Sequence, residues 1–256
     1  MPENESPYSR LAIVTGATSG IGEATVRRFV REGYAVIGGG RRQDKLTALE
    51  DELGPSFRGV AGDASEESVV ERYFSTAREQ FGAEADLIVA NAGRGLGGSV
   101  KEGDLGQYEE VLKVNVVGAT LLMQKAARVL TARQERDYPQ RAADIVVIGS
   151  VVGRMVSPFS AIYGSTKFAI HAMAEALRRE IGPQGVRVTC VAPGIVVSGF
   201  QEGAGYSDEL VQNFHDKFGP LLGGDDVAET IAHLVALPPH VHLSDVVIRP
   251  TRQDYP

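Results

Sequence analysis

The chain has 256 residues, 43% hydrophobic and 23% charged, which are ordinary proportions for a globular protein and exclude intrinsic disorder and a coiled coil. A formal net charge of −7 excludes nucleic acid as a main partner, since duplex binding needs a basic face. The single cysteine, Cys190, leaves no internal disulfide and no thiolate metal cluster, and no metal site is expected.

The chain opens with MPENESPYS, a polar, acidic stretch unlike a secretory or transit signal and expected to be a flexible lead. No run approaches the ~18 apolar residues needed to span a bilayer. A cytoplasmic protein with no membrane partner is expected. Short Val- and Ile-rich runs follow at 10–16, 34–40, 57–63, 86–93, 143–150, 186–194 and 243–250. Helical patterns alternate with them at about 20–32, 43–53, 66–81, 105–132, 161–181, 207–218 and 224–236. Strands that are apolar almost throughout belong to a parallel sheet covered on both faces. The alternation therefore predicts an α/β fold, one Rossmann-type doubly wound sheet of about seven strands. A single domain over 10–256 is expected, with a substrate loop at about 195–220. The hydrophilic stretch 133–144 reads as a loop.

The first strand runs into Thr15-Gly16-Ala17-Thr18-Ser19-Gly20-Ile21-Gly22. Gly16 permits a sharp turn, and Gly20 and Gly22 let the next helix start close to the strand and to a ligand. Free amides and the positive end of the helix dipole then meet a pyrophosphate. The second strand ends in Gly40-Arg41-Arg42, with no acid before Asp44. Two guanidinium groups suit a ribose 2′-phosphate, where a carboxylate would repel it, so NADP(H) is expected in preference to NAD. Tyr163 and Lys167 stand four apart in a helical stretch and share a face. An ammonium beside the phenol favours the phenolate, which suits the pair to proton transfer at a carbonyl or alcohol oxygen. Ser150, at the carboxyl end of a strand, lies where ligands of open α/β sheets bind.

The T-G-x-x-x-G-x-G turn, Asn91-Ala92-Gly93, Asn115, Ser150, Tyr163-Gly-Ser-Thr-Lys167 and Pro193-Gly194, in this order, resemble the short-chain dehydrogenase/reductase family over nearly the whole chain. The resemblance implies an NADP-dependent enzyme that interconverts an alcohol and a carbonyl by hydride transfer. It makes Tyr163 the acid in reduction and the base in oxidation, has Lys167 lower its pKa and bond the nicotinamide ribose, and has Ser150 orient the substrate oxygen. Asn115 helps hold a water chain that carries the proton onward from Lys167. It also implies that Asp63 and Ala64 lie near the adenine. The rest of the cofactor set is Gly16, Thr18, Ser19, Gly20, Ile21, Gly22, Arg41, Arg42, Asn91, Ala92, Gly93, Pro193, Gly194, Val196 and Ser198, with Tyr163 and Lys167. The chain departs from the family at Ala90, which often is asparagine, and at Ser198, which often is threonine. The ending DVVIRPT is similar to members that act on small polar hydroxy acids or their aldehydes.

Phe159, Phe200, Tyr206 and Met155 supply apolar substrate walls in this reading, and Gln201, Arg94 and His215 add polarity. None of the five histidines, His171, His215, His233, His240 and His242, forms a convincing metal pair. Cys190 reads as a core thiol and Arg154 as a surface or interface arginine. Small residues such as Ala169, Ala172, Ala174 and Ala176 fit close helix packing between subunits. The resemblance implies a tetramer or dimer through these helices and the last strand. The alternative reading is a non-catalytic NADP-binding regulator or scaffold, which the complete acid/base group opposes.

Overall fold

The computed structural model describes residues 7–101, 103–158 and 160–255. Seven parallel strands form one sheet: β1 Leu11–Thr15, β2 Ala35–Gly40, β3 Phe57–Ala61, β4 Leu87–Ala90, β5 Ala143–Ile148, β6 Val186–Pro193 and β7 Asp245–Ile248. Their order is β3-β2-β1-β4-β5-β6-β7. The order reverses at β1, where the chain crosses from one half of the sheet to the other, and that switch point opens a crevice above the strands' carboxyl ends.

Successive side chains of a strand point to opposite faces, and both faces here are buried. Leu11 and Ile13 of β1 join Ile37, Ile88, Ile145 and Val188 on one side. Ala12 and Val14 join Val36, Val89, Val146 and Val191 on the other. The first face is covered by α3 Glu67–Phe81, α5 Ala119–Asp137 and α6 Ala161–Ile181, the second by α1 Gly20–Arg31, α2 Gln43–Leu53 and α9 Gly224–Ala236. This double burial is why the strand sequences show no polar alternation.

Several boundaries differ from the expectation. β4 stops at Ala90, three residues early, because Asn91 turns out of the sheet to bond the first glycine turn. The long helix is α4 Leu105–Leu112, a wide π turn Lys113–Gly118, and then α5, which runs on to Asp137 into the first part of the expected loop. The helix persists there because Gln134 is buried and donates to the Arg141 and Gly185 carbonyls, while Arg133 pairs with Asp86 and Asp137. Of the expected flexible lead, residues 1–6 lie outside the described residues. Tyr8 stacks edge-on against Phe81 and donates to the Pro55 carbonyl, so its end is tied down.

The amino ends of the central strands carry a buried ionic cluster. Asp144, the second residue of β5, receives Arg187 of β6 through both carboxylate oxygens, at 2.7 and 3.0 Å, and Arg10 at 2.8 Å. Asp86 receives Arg10 and Arg133. The rest of the Arg187 guanidinium donates to the carbonyls of Val235, Leu237, Pro238 and Val241. It thus fastens the end of α9 to the sheet, at the pole opposite the crevice.

Candidate active site

Gly16 takes φ +68°, a left-handed conformation that favours glycine, and a Cβ there would lie 2.7 Å from Asn91 Nδ2. A Cβ on Gly22 would lie 2.1 Å from the Gly16 carbonyl oxygen. Ser19 precedes α1 in an extended conformation and its side chain does not cap the helix, which leaves the first-turn amides for an anion. Gly20 approaches Ser198 closely, so the turn and the chain after β6 meet over the helix end. The Ile21 carbonyl, one residue into α1, accepts from Thr25. Thr15 Oγ1 accepts from the amides of Asn91 and Ala92, and Asn91 Nδ2 donates to the Thr15 carbonyl. Gly22→Ala is expected to weaken dinucleotide binding by about tenfold or more, since overpacking costs ~1–3 kcal/mol; a fluorescence titration of the nicotinamide checks it.

Arg42 stands at the start of α2 and donates to the Thr18 hydroxyl at 3.0 and 3.2 Å and to the Thr18 carbonyl at 3.0 Å. It lines a cleft of about 340 Å³ with Thr18, Ser19, Arg27 and Lys45. Arg27 is held by Glu23 and Glu52. Arg41 is exposed beside Asp63. Burial works against the Asp63 charge, but the Ser65 amide and hydroxyl, with Lys113 and Arg41 nearby, hold it below the usual carboxylate range. The wide turn of the long helix packs against Ala64, where Gly118 leaves no room for a Cβ. The uncapped helix end, the close-packed turn and the cationic rim together fit a phosphorylated dinucleotide.

Asn115, in that wide turn, is buried. Its Oδ1 accepts from the Arg94 amide at 2.8 Å, and its Nδ2 donates to the Arg94 carbonyl and to Thr166 Oγ1. The amide is thus committed to joining the segment after Gly93 to α6. Ser150 follows β5, accepts from the Val152 amide, and hydrogen-bonds the Tyr163 phenol. Lys167 is buried and donates to the Ile148 carbonyl at 2.8 Å. Its ammonium lies 5.7 Å from the centre of the Tyr163 ring. Desolvation pushes Lys167 down to about 8.

One electrostatic expectation is corrected. The Tyr163 pKa lies above its ordinary value, not below it, because burial outweighs the hydrogen bond from Ser150. Lys167 spends a donor on Ile148, and its charge does not reverse the effect of burial.

After β6, Gly194 donates to the Ile248 carbonyl, and Gln253 Oε1 accepts from the Ile195 amide. Val196 pairs with Leu222, so the chain leaves and rejoins the body at one place. Between them lie two helices, α8 Asp208–Phe218, which matches the helical stretch expected at about 207–218, and α7 Phe200–Gly203, which was not expected within the substrate loop. Phe200 packs against Tyr163 at 5.3 Å between ring centres, and Tyr206 against Phe214. Met155 is half exposed, and Phe159 lies outside the described residues. Of the expected polar groups, Arg94 pairs with Glu110, Gln201 bonds Ser198 and Val196, and His215 is exposed on α8. Arg154 pairs with Asp245, as suits a surface arginine.

One neighbour of the site carried no signal in sequence. His171 accepts the Ser150 amide at Nε2, 3.1 Å away. The eight-residue spacing from Tyr163 puts it on the same helix face, but a lone histidine there reads as packing.

The sequence profile of a family described as short chain dehydrogenase matches residues 10–207. The chain is 31% identical over 254 residues to serine 3-dehydrogenase of Agrobacterium fabrum (strain C58), covering 95% of this chain and 94% of that one. Among solved structures, the closed form of a serine dehydrogenase complexed with NADP+ superposes with a TM-score of 0.87 at 27% identity, over 96% of both chains. A 3-ketoacyl-(acyl-carrier-protein) reductase from Brucella melitensis complexed with NADH gives 0.86 at 25% identity, over 96% of this chain and 99% of that one.

Proposed function

Because the chain belongs to the short-chain dehydrogenase family and is an NADP-dependent oxidoreductase of alcohols and carbonyls, we propose that Tyr163, Ser150 and Lys167 carry its chemistry, on a small polar hydroxy acid or the matching aldehyde. The observation that carries this reading is the hydrogen bond between Ser150 and Tyr163 at the carboxyl end of β5, with the buried Lys167 on the next turn of α6. The substrate class is supported by the serine 3-dehydrogenase relative, whose name gives a small hydroxy amino acid.

A bound nicotinamide supplies or takes the hydride. Ser150 donates to the substrate oxygen and holds it against Tyr163. In reduction Tyr163 gives its proton to that oxygen, and in oxidation it takes one back. Burial keeps Tyr163 protonated at neutral pH, which favours its work as an acid. Lys167 faces the ring and steadies the phenolate once the proton has gone. Asn115 acts through the wide turn in which it stands, shaping the path by which the proton is replaced. Phe200 closes the site against water from the segment at about 195–220.

Arg41 and Arg42 hold the ribose 2′-phosphate. The amides after Ser19, with Gly16, Thr18, Gly20, Ile21 and Gly22, receive the pyrophosphate. Asp63 and Ala64 border the adenine, and Asn91, Ala92, Gly93, Pro193, Gly194, Val196 and Ser198 line the nicotinamide half. The enzyme works as a cytoplasmic dimer or tetramer, joined through the exposed apolar side chains Val117, Phe168 and Met173 and the edge strand β7.

Parallel titration with NADPH and NADH, followed by oxidation assays on a panel of hydroxy acids, tests the proposal. Turnover of none of the panel despite tight NADPH binding would count against it. Arg42→Ala is expected to weaken NADPH about 10- to 100-fold and leave NADH nearly unchanged, as loss of a charged hydrogen bond costs ~1.5–3 kcal/mol. Equal weakening of both would remove Arg42 from the phosphate site.

A further inference from the structure

Two side chains of α6 hold the end of β5 from successive helical turns. Lys167 Nζ donates to the Ile148 carbonyl, and His171 Nε2 accepts the Ser150 amide. Tyr163, Lys167 and His171 are spaced by four and four, so one face of one helix presents all three to the same short segment. The segment is shaped to receive the imidazole. A Cβ on Gly149 would lie 2.1 Å from His171 Nε2, and one on Gly153 would lie 2.9 Å from it. The residues on both sides of Ser150 thus leave the room that the ring fills.

We propose that His171 is a positioning residue of the reaction: its imidazole fixes the Ser150 main chain and so sets where the Ser150 hydroxyl meets Tyr163 and the substrate oxygen. This rests on the reading of Ser150 given above. Ser150 has extended backbone and stands at the junction between β5 and the tight turn Val151–Gly153. A change in its backbone there swings the hydroxyl directly. The Ser150 amide, donating to His171, and the Ser150 hydroxyl, accepting from the Val152 amide, together fix both sides of that junction.

The role needs an unprotonated Nε2, since only a lone pair can accept an N–H. The surroundings enforce it. Burial, with Arg154 from the turn after β5 and Lys167 from α6, pushes His171 down to about 4, and Asp245 of β7 offsets this only in part. Cys190 of β6 lies on the remaining side, its thiol pushed up to about 11 by burial and hence neutral. The acceptor is therefore present throughout the pH range in which the enzyme works.

A double-mutant cycle on the whole enzyme tests this. His171→Leu keeps the bulk and removes the acceptor, and is expected to lower kcat about 10- to 100-fold, the scale of a small misplacement, with NADPH affinity held within about twofold. His171→Gln, whose amide oxygen reaches the same place, recovers most of that loss. In a Ser150→Ala background, His171→Leu costs no further activity beyond about twofold. A merely structural histidine would give additive losses, and additivity overturns the proposal, as does full activity of His171→Leu. If the leucine variant does not fold, His171→Asn, too short to reach the amide, takes its place in the cycle. Full kcat in Ser150→Ala alone would instead overturn the reading of Ser150.

Discussion

Tyr163→Phe is expected to lower kcat for carbonyl reduction by about 10²- to 10⁴-fold, the usual worth of a positioned acid or base. The substitution removes one oxygen and leaves the ring against Phe200. NADPH binding should stay within about threefold, so the loss falls on turnover. Steady-state kinetics paired with a cofactor titration separates the two. The pH profiles carry a second signature. Reduction needs the protonated phenol, which burial preserves well into the alkaline range, so the rate is flat through neutrality and falls as Lys167 loses its proton above about 8. Oxidation needs the phenolate, so its rate rises with pH up to about 8, where Lys167 loses the charge that steadies that anion. Unchanged turnover in Tyr163→Phe would remove the acid/base assignment, and with it most of the case for a catalytic site at β5.

Asp144→Asn is expected to destabilise the fold by about 3–5 kcal/mol, the scale seen when one partner of a buried ion pair is removed. Asp144 is the shared acceptor of Arg10 and Arg187, and its side chain is only 4% exposed. Neutralising it leaves Arg187 with main-chain carbonyls alone and leaves Arg10 to share Asp86 with Arg133. The melting temperature should fall by roughly 10 °C or more for a chain of this size. The paired replacement Asp144→Leu with Arg187→Met is expected to cost less than Asp144→Asn alone, because it leaves Arg187 no charge to strand. A loss under about 1 kcal/mol in urea unfolding would show that water reaches the cluster and screens it.

That cluster marks the limit of what the sequence discloses. The strands were legible because burial on both faces writes an unbroken Val and Ile run, as in residues 145–148. The glycine turn and the Tyr163–Lys167 pair were legible because their chemistry is local, set by spacings of a few residues. Arg10, Asp86, Asp144 and Arg187 lie far apart along the chain, and each alone reads as a solvated charge. The same effect hid the end of α5: Arg133 and Gln134 look like loop residues until Asp86 and the Gly185 carbonyl are brought beside them. It hid His171 too, whose partner is a main-chain amide and leaves no mark in composition. Local chemistry is written in the sequence; long-range electrostatics appears only after folding.

The pairing of Val196 with Leu222 has a consequence for how this chain could be altered. Val197 donates to the Leu222 carbonyl and Leu222 to that of Ile195, so both ends of the intervening segment are clamped together at the rim. Loop-closure entropy grows only slowly with length once the ends are joined. Residues 199–221 therefore form an exchangeable cartridge that leaves Ser198 in place against Gly20 of the dinucleotide turn. On the proposed reading of this segment as the substrate loop, a graft of different length and lining between the same two anchor residues is expected to change the substrate accepted while the sheet, the dinucleotide turn and the ionic cluster at the far pole stay as they are.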